Sequence, residues 1–548
     1  MIKRIFNNGI LNGKPAQSVT AAAFIITVAG LASRTLGLLR DRFLASTFGA
    51  GDTLDVYYAA FRIPDLIYNL LILGALSAAF IPVFTGLISK DQKEDAWKAA
   101  NGILNLSIFF IIIVSLILAV FAPYLMRVIT PGFPAEKMEM VVSFTRIMFL
   151  SPLFLGISGI FGGILTSYKR FLIYSIAPIL YNLGIIFGVL VLVRFMGPIG
   201  LAWGVVLGAF LHMAIQYPAA RHLGFKHQKV LFASFKDSAV RKILKLMVPR
   251  TMGIAANQIN LLIITIFAST LASGSLAIFS FAQNLQSVPL GLIGISFSIA
   301  VFPVLSAFAA RGEKENFVRT FSETFRQILF FVIPISVFMI VLRAQLVRVI
   351  LGAGKFDWED TILTFQALGI FAISLFAQSA IQLLARAFYA LQDTKTPFYI
   401  AMATEAINII AVILLIGRVQ VLGLVIAFSI ANIIQMILLL FVLRTRFENL
   451  DDRNIIKSIV KIAGASFLAG IGIQGSKYAV ASLVNLDTFL GVFSQLAISG
   501  IFGLAIFIAT CHFLKLEEFV RMRNSLSKRL FRTNKQLIVE STEDVSGI

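Results

Sequence analysis

The chain has 548 residues, of which 58% are hydrophobic and only 14% charged, with a mean hydropathy of +0.90 and a net charge of +20. A soluble domain carries about 25% charged residues, so the composition excludes a soluble fold and specifies a polytopic, all-α membrane protein. One cysteine, Cys511, excludes an intramolecular disulfide framework and reads as inert apolar filler; His212, His222, His227 and His512 form no motif with acidic or Cys ligands, so no metal site is expected.

Apolar segments of spanning length fall near 19–47, 54–87, 100–126, 140–165, 172–194, 199–218, 244–271, 276–308, 322–345, 362–390, 398–417, 420–443, 458–482 and 488–513, fourteen in all. The first run, Val19 to Ala32, is long, ends at Arg34 and lacks a small-residue cleavage site, so it reads as a retained signal-anchor. Fourteen spans put both termini on one side. That side holds 32 Lys and Arg residues and the opposite side 8, which predicts cytoplasmic termini and accounts for the basic charge without nucleic acid. The tail residues Arg521, Arg523, Lys528, Arg529 and Arg532 read as a segment held near anionic headgroups.

A shift of about 221 residues superimposes Pro82 on Pro303, Lys90 on Arg311, Lys93-Glu94 on Lys314-Glu315, Lys98 on Arg319, Arg127 on Arg348 and Tyr168 on Tyr389. This predicts two six-helix lobes of like topology, related by a pseudo-twofold axis along the membrane normal. The expected division is an N-terminal lobe over 1–220, a cytoplasmic linker over 221–243, a C-terminal lobe over 244–443, two appended helices over 444–514 and a basic cytoplasmic tail over 515–548.

Seven of the 47 basic residues fall inside spans, and four of these, Arg34, Arg40, Arg42 and Arg62, lie in the first two helices beside Asp41, Asp55 and Asp65. Charge at bilayer depth persists where it faces a partner or a wet cavity. In the first helix Arg34 and Asp41 share a face, whereas Arg40 and Arg42 diverge from it, which calls for a wide cavity or a bend near Gly37. In the second, Asp55, Tyr58, Arg62, Asp65 and Asn69 form one polar stripe, either a substrate surface or an ion-pair ladder through Arg62 and Asp65. Guanidinium binds phosphate oxygens bidentately and stays charged when buried, so a lysine-free arginine cluster suits a phosphate or diphosphate and disfavours a cation.

The second half offers neutral polar groups instead: Asn257, Gln258 and Asn260, then Gln283, Asn284 and Gln286. They serve equally as hydrogen-bond donors to a sugar or peptide and as interhelical contacts. Arg250 is the one candidate cation there, and Glu405 is a lone intramembrane acid suited to a coupling ion or to a structural pair. Gly49–Asp52 and Pro131–Pro134 read as short outer turns, and the sequence contains no Walker loop and no nucleophile–base constellation, so a transporter rather than an enzyme is expected.

The ordered set Ser33–Asp41, Phe48–Asp52, Asp55, Phe61–Asp65, Gly74–Pro82, Ile164–Phe171 with Pro178 and Asn182, Gly354–Phe356 and Leu384–Pro397 resembles the MurJ (MviN) lipid II flippases of the multidrug/oligosaccharidyl-lipid/polysaccharide exporter superfamily. The resemblance covers essentially the whole chain. It implies fourteen helices, a central cationic cavity and alternating-access translocation of lipid II, the undecaprenyl-diphosphate disaccharide-pentapeptide, across the bacterial cytoplasmic membrane in peptidoglycan biosynthesis. It carries transport roles onto Arg34, Arg40, Asp41 and Asp55, and a lipid-tail groove onto the appended helices. The family often has further arginines where this chain has Tyr68 and Asn284, which shifts the expected diphosphate contact toward Arg34, Arg40 and Arg62. The expected partners are lipid II, membrane lipids and the cell-wall synthesis machinery, around a monomer with no cofactor, driven by membrane potential or a monovalent ion. The rivals are a flippase for another polyprenyl-diphosphate glycan, a drug/cation antiporter, a polyprenyl-phosphate enzyme and a non-transporting scaffold.

Overall fold

The computed structural model describes residues 19–70, 79–228 and 237–524; the side chains of 19–24 and 248–257 lie outside the described set. The described residues form helices and no strand. In chain order these are α1 (Val19–Phe48), α2 (Asp52–Tyr68), α3 (Ile81–Ser89), α4 (Lys93–Ile129), α5 (Ala135–Met148), α6 (Leu150–Ser167), α7 (Phe171–Phe187), α8 (Val193–Met196), α9 (Gly200–His222), α10 (Ser238–Ser269) and α11 (Ser275–Pro289). There follow α12 (Ser296–Arg311), α13 (Lys314–Val341), α14 (Arg343–Ile350), α15 (Trp358–Ala390), α16 (Lys395–Val419), α17 (Val421–Phe447), α18 (Asp452–Ala481) and α19 (Phe489–Phe513).

Ten helical stretches among the described residues are long and apolar enough to cross a membrane. One of them, Phe171–His222, contains two of the expected segments, broken by a turn at Gly197, where φ is +65°. The expected segments 19–47, 54–87 and 244–271 fall outside the ten; α1 and α2 carry the embedded charges, and residues 71–78 are not described. The 221-residue offset also relates helix boundaries: Lys93 and Lys314 open α4 and α13, Ile129 and Ile350 close α4 and α14, and Gly200 and Val421 open α9 and α17.

The chain forms two compact units. The first comprises residues 1–284, 350–364 and 409–424, and the second 285–349, 365–408 and 425–548. In the first unit α7 and α9 approach closely because glycines face each other. A Cβ added at Gly184 would lie 2.3 Å from Gly208 Cα, and one at Gly188 2.5 Å from Gly204 Cα. Small residues four apart let two helix backbones touch where lipid supplies no hydrophobic drive between them. This places α7 to receive α1, and the carboxamide of Asn182 reaches across it to the Ser33 carbonyl at 3.3 Å. The segment expected as linker, 221–243, is partly helical: α10 begins at Ser238, capped by the Asp237 carboxylate, which accepts from the amides of Ala239 (2.8 Å) and Val240 (3.1 Å).

In the second unit α18 and α19 form a hairpin packed on α13. Phe330, Ile462, Ala465, Ala469, Phe507 and Cys511 make its core, and Cys511 is fully buried as a free thiol. Beyond α19 the described tail is a short helix, 517–524, whose Glu517 and Glu518 accept from Arg326 Nη1 at 3.1 and 3.0 Å. Arg326 and Glu518 are both buried, so this embedded arginine is neutralised by the tail. Residues 525–548, with Lys528, Arg529 and Arg532, lie outside the described residues.

Candidate functional site

Two polar clusters sit in the first unit and take up most of the charges of α1 and α2, leaving Arg34 and Arg42 outside them.

The first centres on Arg40 and Asp41. Helix α1 runs unbroken through Gly37, and Arg40 turns back on its neighbour: Nε and Nη2 donate to Asp41 Oδ1 at 3.0 and 2.8 Å. Nη1 donates to Asn182 Oδ1 at 3.2 Å. Asp41 is 2% exposed, and its second oxygen accepts from Asn284 Nδ2 at 2.9 Å. The carboxylate therefore accepts three hydrogen bonds, while Arg40 keeps two of its five N–H donors uncommitted among the described residues. Arg40 and Arg62 both act on Asp65, and Asp41, Arg40 and Arg62 all act on Tyr58, so these groups share one neighbourhood.

Arg62 departs from the helical-spacing expectation. It forms no ion pair with Asp65; its Nε donates to Thr265 Oγ1 of α10 at 2.7 Å, a partner 203 residues away that the i,i+3 rule cannot anticipate. Asn69 likewise turns to its own helix, donating to the Asp65 carbonyl at 2.8 Å.

Arg34 stands apart from Asp41, its expected face-mate. Its Nη1 is enclosed with no hydrogen-bond acceptor, and no carboxylate among the described residues lies in ion-pair range. Arg42 points another way, donating to the Ile350 carbonyl at 3.4 Å, where α14 ends. Arg250 lies within 248–257, outside the described side chains. Glu405, on α16 and in the second unit, accepts from Asn408 Nδ2 at 3.2 Å.

The second cluster closes the turn ends of α1, α2, α5, α10 and α11. Asp55 is 2% exposed and accepts from Lys137 Nζ (2.8 Å) and from the amides of Gly274 (2.8 Å) and Ala277 (3.0 Å) at the start of α11. A carboxylate suits a helix N-terminus, where amide donors are free and the dipole is positive. Lys137, itself 8% exposed, also bonds Asp52 at 2.7 Å, and Ser273 donates to the same Asp52 oxygen at 2.7 Å. Asp52 lies outside the apolar segments. Its partial burial raises the carboxyl pKa, but the bonds from Lys137 and Ser273 outweigh that and hold it below the ordinary range.

The chain approaches itself closely here. Gly274 has φ +86°, and a Cβ there would sit 1.8 Å from the Ala50 carbonyl oxygen; at Gly354, φ +60°, it would sit 2.2 Å from that of Ser46. Asp360 accepts from the Ala50 amide at 2.8 Å. The turns 49–52 and 131–134, which the sequence presents as plain connections, thus pack against the ends of α10 and α11, and the Gly132 amide donates to Ser269 Oγ at 3.3 Å. Lys137 escaped sequence reasoning altogether. Its only signal is that it is one of 8 basic residues on a basic-poor face.

A model of the family "Lipid II flippase MurJ" matches residues 44–493, starting just after the α1 charges. Among curated proteins, the probable lipid II flippase MurJ of Bdellovibrio bacteriovorus is 30% identical over 93% of this chain and 97% of its own length. The lipid II flippase MurJ of Burkholderia cenocepacia is 27% identical over 82% and 88%. Among solved structures, a lipid II flippase MurJ in an inward closed conformation shares the fold at a TM-score of 0.72, with 24% identity, covering 90% of this chain and 99% of that one. An inward-facing multidrug resistance MATE family transporter of the MOP superfamily follows with a TM-score of 0.65, 16% identity and 76% and 96% coverage. The chain belongs to the MurJ lipid II flippase family.

Proposed function

We propose that this protein is a multi-pass flippase that moves lipid II from the inner to the outer leaflet of a bacterial cytoplasmic membrane by alternating access, with both termini cytoplasmic. Fourteen spans and two six-helix lobes are part of the same proposal. Arg34, Arg40 and Arg62 receive the diphosphate. The observation that carries this is the enclosed, acceptor-free Nη1 of Arg34. A buried guanidinium donor without an acceptor carries a full desolvation penalty, which an anionic ligand removes. Arg40 offers its two spare donors, while Asp41, Asn182 and Asn284 fix its orientation. Asn284 thereby supports the cation through Asp41.

The latch at Asp52, Asp55, Lys137 and Ser273 is the outer closure, opening in the outward state. The cationic site faces the cytoplasm when the latch is shut. A membrane potential, positive outside, returns the emptied positive site inward, at about 2.3 kcal/mol per charge per 100 mV. Flipping in proteoliposomes therefore responds to an imposed potential, and indifference to it removes this step.

Depleting the protein in cells and identifying the polyprenyl-linked precursor that accumulates on the inner leaflet tests the substrate. Accumulation of lipid II supports the proposal. Accumulation of a different polyprenyl-diphosphate glycan, with lipid II unchanged, overturns it.

A further inference from the structure

The end of the α18–α19 hairpin remote from the tail carries a second concentration of positive charge, confined to the second unit. A cavity of about 320 Å³ is lined there by Ile340, Val341, Arg343, Phe365, Gln474 and Lys477, and no Asp or Glu lines it. Arg343 Nη1 donates to the Ile340 carbonyl at 2.6 Å, and its guanidinium lies 5.7 Å from the centre of the Phe365 ring. Lys477 Nζ donates to the Val341 carbonyl at 2.9 Å and to Gln474 Oε1 at 3.4 Å. These partners aim two cations into one space without neutralising either.

Three further observations point to an anion. The two charges act on each other, and that repulsion is relieved when a negative group sits between them. Arg343 is the first residue of the eight-residue helix α14, whose N-terminal field favours an anion, and it sits beside the last carbonyls of α13, which Arg343 and Lys477 themselves satisfy. The face opposite the termini carries only 8 basic residues. Lys137 is matched by the carboxylates of Asp52 and Asp55. Arg343 and Lys477 have only carbonyl and amide oxygens as acceptors, and both line one cavity. Around them the surface is apolar and outward-facing: Tyr478 is 71% exposed, Leu483 82% and Leu490 72%. That surface suits a hydrocarbon chain and not bulk water.

We infer that this cavity binds the phosphate group of a membrane lipid. The site is separate from the α1–α2 arginines and stands whether or not lipid II is the cargo.

The test uses full-length protein in a neutral detergent, with native mass spectrometry reading the bound species. Dioctanoyl phosphatidylglycerol, undecaprenyl diphosphate and inorganic phosphate are offered separately. Wild type binds one or both lipids. The double variant Arg343→Gln/Lys477→Gln loses affinity by at least about tenfold, since both charge-assisted hydrogen bonds to the phosphate are removed. Arg418→Gln, which removes an exposed charge elsewhere on the same face, leaves binding unchanged. Should the double variant fail to fold, Arg343→Gln alone weakens binding, while the charge-keeping Lys477→Arg retains it. Undiminished binding in the Gln variants, or no binding by wild type, overturns the inference. Inorganic phosphate bound as tightly as the lipids overturns its assignment to a lipid.

Discussion

On the proposed function, replacing Asp55 with Asn unfastens the outer closure. The carboxylate takes three donors, the ammonium of Lys137 and the amides of Gly274 and Ala277. Asn keeps one acceptor oxygen, loses the charge and turns an NH₂ group toward a donor. Lys137 is then left 8% exposed with Asp52 as its remaining partner, so the loss is less than that of a wholly broken buried pair. One charge-assisted bond with partial compensation amounts to about 2–3 kcal/mol, or roughly a 30- to 150-fold shift toward the open outer end. Ser275 is 3% exposed behind the latch, and a Ser275→Cys reporter is nearly isosteric. Cys511 is the only native cysteine, so Cys511→Ala makes the background silent. Modification of the reporter by a membrane-impermeant thiol reagent from outside accelerates in the Asp55→Asn protein by that order. Equal rates in the two proteins, with equal thermal stability, would refute the latch.

Three further outcomes are expected. Gly274→Ala raises reporter modification in the same assay, because the added methyl meets the Ala50 carbonyl at 1.8 Å and the φ of +86° penalises a side chain; an unchanged rate contradicts the close approach. Arg326→Met leaves Glu518 buried without its cation, costing about 3–5 kcal/mol, and the added Glu518→Gln recovers part of it, as read by thermal unfolding in detergent. Asp393, in the turn between α15 and α16, is partly buried, which raises its pKa, but hydrogen bonds from Thr396 and its pair with Arg446 outweigh this and hold the carboxyl below the ordinary range. A depressed folded-state pKa gives stability that is present above about pH 4 and lost as pH falls through the folded value. Asp393→Asn therefore lowers the melting temperature at pH 7 and flattens its decline in acid; parallel acid profiles for the two proteins sink this reading.

The embedded charges were legible because hydropathy makes any charge in α1 or α2 conspicuous; the helix ends were less so, since the expected segments start at 100 and 322 where α4 and α13 start at Lys93 and Lys314, the polar first turns lying outside any apolar run. What spacing could not supply was the partner. Asp55 meets Lys137, 82 residues away, and Arg62 meets Thr265, 203 residues away, in preference to the acid one turn along its own helix. Helical periodicity assigns a residue to a face, but only tertiary packing decides what that face meets. Asn284 read as a missing arginine; its bond to Asp41 is a contact that composition cannot express. The glycines at 184, 188, 204 and 208 look like ordinary membrane-helix residues until the two backbones are seen in contact.

The most direct test of the central claim is lipid II flipping by Arg34→Ala in proteoliposomes. Arg34 Nη1 has no acceptor among the described residues, so its loss costs the fold little, unlike Arg40→Ala, which strips Asp41 of its cation. The account predicts a variant that folds and melts like wild type and does not flip lipid II. Full transport by folded Arg34→Ala would contradict it.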